Sequence, residues 1–88
     1  MNPEMVAQSL SKLEKSPCRY IETVAVKEQF KGQTVWDGEI MVFALDRPPE
    51  ERCYVWVDRD ENRMVTVLER PPVNSAETAL RAYLVSKK

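Results

Sequence analysis

The 88-residue chain reads as one α+β domain over residues 1–88, in the order α-β-β-β-β-α, with a four-stranded antiparallel meander. Three observations lead there. From Arg19 to Glu69 apolar and polar residues largely alternate, as they do along strands. At each end the period lengthens to that of a helix, with Val6, Leu10 and Leu13 on one stripe and Ala76, Ala79, Leu80, Tyr83 and Leu84 on another. The connectors between the strand-like runs are short, which joins successive strands antiparallel.

The first helix is expected from Pro3 to Lys15. Asn2 suits the cap, Pro3 the first position where no amide hydrogen is required, and Glu4 the positive end of the dipole. Ser16-Pro17 closes it, because a residue before proline is pushed out of the α region. Tyr20, Val24, Val26 and Phe30 then point one way, and Arg19, Thr23, Lys27 and Gln29 mostly the other. Lys31-Gly32 reads as a hairpin turn into a second strand, Thr34 to Leu45. Asp37-Gly38 inside that run is also a hairpin signal, and Gly38 is taken as a bulge or kink.

Asp46 to Glu51, with Pro48 and Pro49, is a polar connector. The third strand, Arg52 to Asp58, sets Cys53, Val55 and Val57 against Tyr54 and Trp56. The chain turns at Arg59 to Asn62 and returns from Arg63 to Glu69. Pro71-Pro72 ends the sheet, and Asn74 with Glu77 has the spacing of a capping box for the second helix, whose dipole Lys87 and Lys88 complement. Both helices are expected on one face of the sheet, over a core that includes Val6, Leu10, Leu13, Val24, Val26, Leu80 and Leu84.

Thirteen Lys and Arg against fourteen Asp and Glu give a net charge of −1, with the signs mixed along the chain. No broad positive field is available to attract phosphates, so nucleic acid is not an expected partner. The longest uncharged apolar run, Ile40 to Leu45, is far below the roughly 20 residues a membrane helix needs, and no leader-like segment opens the chain. A cytoplasmic location follows as the expectation. Cys18 and Cys53 form no C-x-x-C pair and there is no His, so a zinc site is not expected and two reduced, packed thiols are.

Asp58, Asp60, Asn62 and Glu69 match the ligand offsets of an EF-hand calcium loop. Arg63 occupies the position that requires Gly, a strand precedes it, and Pro71-Pro72 forbids the following helix, which makes it a charged hairpin turn. No metal and no cofactor are expected. Enzyme chemistry is poorly supplied without His, and Asp37 and Glu39, two residues apart on one strand face, are the nearest thing to a polar site, with Cys53 as a third candidate.

The second and third strands are apolar on both faces. If two helices cover one face, Tyr54, Trp56, Met41 and Phe43 mark an apolar and aromatic patch on the other, and such patches usually serve an interface. The expected function is a non-catalytic protein interaction module that self-associates, most simply as a homodimer. The alternatives are a small-molecule or catalytic pocket between sheet and helices, and an arrangement in which the helices and the Asp46 to Glu51 connector cover more of the sheet, or some strands twist away so that both faces are partly buried.

In element order the chain resembles the double-stranded RNA-binding domain, which lays two helices on one face of an antiparallel sheet. That family engages RNA through basic residues at the start of its second helix. Here that helix opens with Asn74-Ser75-Ala76-Glu77 and the first with Glu4, so the resemblance implies a fold and not RNA binding.

Overall fold

The computed structural model describes residues 2–58 and 60–86. Helix α1 (Pro3–Glu14) is followed by β1 (Cys18–Phe30), β2 (Gln33–Leu45), β3 (Glu51–Asp58), β4 (Arg63–Leu68) and helix α2 (Ala76–Ser86). The strands form one antiparallel sheet in the order β1-β2-β3-β4, the expected meander.

Local chemistry sets the boundaries. Asn2 accepts the Glu4 amide at 2.8 Å and starts α1; Lys15 ends it in the left-handed conformation (φ 54°), its amide returned to the Ser11 carbonyl. Lys31 and Gly32 both have positive φ, 52° and 78°, which makes a two-residue turn matched to the twist of the flanking strands. Gly38 is neither a turn nor a bulge. It pairs regularly with Val26, and the register breaks fall at Ile21 on β1 and Val35 on β2. Glycine at 38 leaves room for the Trp36 ring, since a Cβ there would lie 3.0 Å from it and the ring would have to shift.

The helices pack on opposite faces of the sheet, which corrects the expectation of a single helical face. Val6 and Leu10 of α1 bury against Met41, Phe43, Leu45, Cys53 and Val55. Ala76, Ala79 and Leu80 of α2 bury against Val26, Ile40, Val42, Tyr54 and Trp56. Adjacent strand residues point to opposite faces, so these two sets cannot share one. The cause lies in β2 and β3, which are apolar on both sides and need cover on both. Of the expected core, Val6, Leu10, Val26 and Leu80 are buried, Val24 and Leu84 half-buried, and Leu13 is 60% exposed on the flank of α1.

Polar contacts pin the connectors to the sheet. The guanidinium of Arg47 donates to the Glu14 carbonyl at 3.2 Å and to Glu51 at 2.8 Å, which ties the end of α1 to the β2–β3 connector. Glu51 also accepts from Arg70 at 2.9 Å, and Arg70 first and Arg47 second hold its carboxyl below the ordinary range. None of the described helices is long and apolar enough to cross a membrane.

Candidate functional site

The four residues expected to form an interface are core residues. Tyr54 and Trp56 are 2% and 0% exposed beneath α2; Met41 and Phe43 are 8% and 0% exposed beneath α1. They belong to two faces, and a helix seals each. The Trp56 ring stands edge-on to Trp36 (centroids 6.4 Å apart) and to Tyr83 (5.6 Å). Its indole N–H finds no acceptor among the described residues. The Tyr54 hydroxyl donates to Glu69; burial, and then this bond, push the phenol's pKa up.

The expected polar residues do not converge. β2 and β3 pair only from Met41–Val55 onward, and Trp36 lies near the gap where they part. Asp37 opens on a cleft of about 340 Å³ with Trp36, Asp58 and Tyr83, while Glu39 opens on a separate one of about 330 Å³ with Thr23, Met41 and Val57. Both are open surface clefts. Cys53 lines neither, and burial first, with nearby Glu14 adding to it, pushes its thiol up to about 12, so it is no nucleophile at neutral pH.

Cys18 and Cys53 sit on β1 and β3 with β2 between them, opposite Leu45 and Phe43 respectively. Two strand spacings and a two-residue offset along β2 put more than about 10 Å between their backbones, beyond the reach of a disulfide, and both thiols are free. Cys18 Sγ instead donates to the Ala7 carbonyl at 3.1 Å.

The calcium-like sequence is a turn. Asp58, buried at the end of β3, accepts the amides of Asp60 and Glu61 at 2.9 and 3.3 Å and the Tyr83 hydroxyl, and Asn62 adopts positive φ. Its carboxylate organises the hairpin. Arg59, within that turn, lies outside the described residues, as do Lys87 and Lys88.

What sequence reasoning missed is the side of the molecule along β4. This strand has no neighbour on its outer side among the described strands, and no charge or proline interrupts Met64 to Leu68. Met64 is exposed, with Leu68 and Thr66 half-buried on the same face. On α2, Thr78, Ala82 and Val85 line a shallow cleft with Arg81 and Pro72, and Val85 is 72% exposed. A cleft of about 380 Å³ runs between the β4 edge and Ala82 and Ser86 of that helix. The edge was legible as Met64-Val65-Thr66-Val67-Leu68, an uncharged run in the last strand of the meander.

In comparisons with known proteins, no family model matches the chain, and no curated protein or solved structure matches it.

Proposed function

We propose that this domain is a non-catalytic protein interaction module that associates with a second copy of itself. The observation that carries this reading is the unblunted β4 edge. Helices cover β2 and β3 on both faces, and β4 has no strand on its outer side among the described strands, which leaves its outward backbone beside apolar side chains. A pocket for a small molecule is the weaker reading, because Asp37 and Glu39 open on different clefts and Cys53 is sealed in the core. The two thiols held apart by β2 support a cytoplasmic setting, and the mixed surface charge favours a protein partner over nucleic acid or membrane.

Sedimentation equilibrium from micromolar to millimolar protein tests the proposal. A dimer mass that dissociates on dilution is the expected result. A monomer at every concentration would overturn it.

A further inference from the structure

We infer that the dimer is built by β4 pairing antiparallel with the β4 of the second copy about a two-fold axis at Thr66, extending the meander into an eight-stranded sheet. This deepens the proposed self-association and rests on it. The Glu69 amide donates inward to the Arg52 carbonyl of the neighbouring chain segment at 2.8 Å. In an antiparallel ladder the bonding direction alternates, so the backbone groups of Met64, Thr66 and, by its N–H, Leu68 turn outward to the free edge.

The side chains then select the register. Pairing Thr66 with its own copy sets Arg63 opposite Glu69 at both ends, Met64 opposite Leu68 on the α1 side, and Val65 opposite Val67 on the α2 side. A shift of two residues one way brings Glu61 opposite Glu69; the other way it brings Glu69 opposite Val65. Only the register centred on Thr66 matches every charge with its opposite and every apolar residue with another. The Arg63 side chain is 61% exposed and interacts with Glu61 and the Tyr83 hydroxyl at the surface, within reach of a carboxylate brought to the β4 edge.

The opposite edge of the sheet is protected where β4 is not. β1 carries Arg19, Glu22, Lys27 and Glu28, and both register breaks of the hairpin lie along it or its partner. Charges and bulges are the usual means by which proteins prevent edge pairing. Beside β4, Ala82 and Ser86 of α2 line a cleft with Met64 to Val67, on the side from which the second copy would approach.

Two sets of variants test the inference by sedimentation, with circular dichroism as the folding control. Thr66→Pro removes an outward amide and is expected to give a folded monomer. Arg63→Glu is expected to weaken dimerisation about tenfold by placing like charges at both ends, and Arg63→Glu with Glu69→Arg to restore it. A dimer that survives both Thr66→Pro and Arg63→Glu would overturn the β4 pairing while leaving self-association standing. Glu69 also accepts the Tyr54 hydroxyl, so Glu69→Arg alone is the control for the fold; where that variant folds, failure of the double exchange to restore a dimer lost in Arg63→Glu would overturn the register. If Thr66→Pro does not fold, the charge exchange decides alone. A monomeric unaltered chain would remove the underlying reading of function as well.

Discussion

At the scale of single residues, the structure turns chemically suggestive side chains into packing. Cys53 shows this most plainly: its thiol is enclosed between α1 and the sheet and is pushed up to about 12. An acid whose pKa is higher in the fold than in the open chain holds its proton more tightly when folded. The stabilisation is therefore complete below the ordinary thiol value of 9.0 and is lost as the pH climbs from there towards about 12. Urea denaturation between pH 9 and 11 should show the unaltered protein losing up to about 1.4 kcal/mol per pH unit more than Cys53→Ala. Tyr54, also raised, contributes equally to both proteins, so the difference isolates the thiol. Parallel pH profiles would contradict the burial of Cys53. Such residues were legible as small apolar groups from their place in alternating strands, whereas the Asp58 carboxylate was not legible as a turn organiser, because its partners are backbone amides and a tyrosine 25 residues away.

At the scale of elements, period and turn chemistry located all six segments in order, and the ends they set for α1, β2, β3 and β4 fall within a residue of those observed. The errors lie where neighbouring side chains compete for one role. Asn74 and Glu77 have capping-box spacing, yet the reciprocal bonds are one residue on: the Thr78 amide donates to Ser75 Oγ at 3.2 Å and the Ser75 amide to Thr78 Oγ1 at 2.9 Å. Both pairs satisfy the same pattern, and only the docked position of α2, with Ala76 buried in its first turn, chooses between them. Ser75→Ala should therefore cost about 1 kcal/mol and Glu77→Ala markedly less, read from urea midpoints at a constant slope. The reverse order would restore the cap to Asn74. Gly38 failed as a bulge for a similar reason, since sequence shows a missing side chain but not the Trp36 ring that fills its place. Leu13 falls on the apolar stripe of α1 by its spacing, yet only Val6, Ala7 and Leu10 of that helix join the packed cluster and Leu13 stays exposed.

At the scale of the whole molecule, the element order and meander were readable, and the placement of the helices was not. Periodicity says that a helix has an apolar face; it does not say which side of a sheet that face will meet. The clue was already present in the two-sided apolar character of β2 and β3, which a helix on each face satisfies without leaving Tyr54, Trp56, Met41 or Phe43 exposed. That single difference moves the proposed association surface from a sheet face to the β4 edge. It is tested most directly by nuclear Overhauser contacts from two buried rings. Phe43 should contact side chains of α1, at Val6 or Leu10, and none of α2; Trp56 should contact Tyr83 of α2 and nothing in α1. Contacts from both rings to the same helix, or a ring with no helical contact, would contradict a sheet enclosed on both sides.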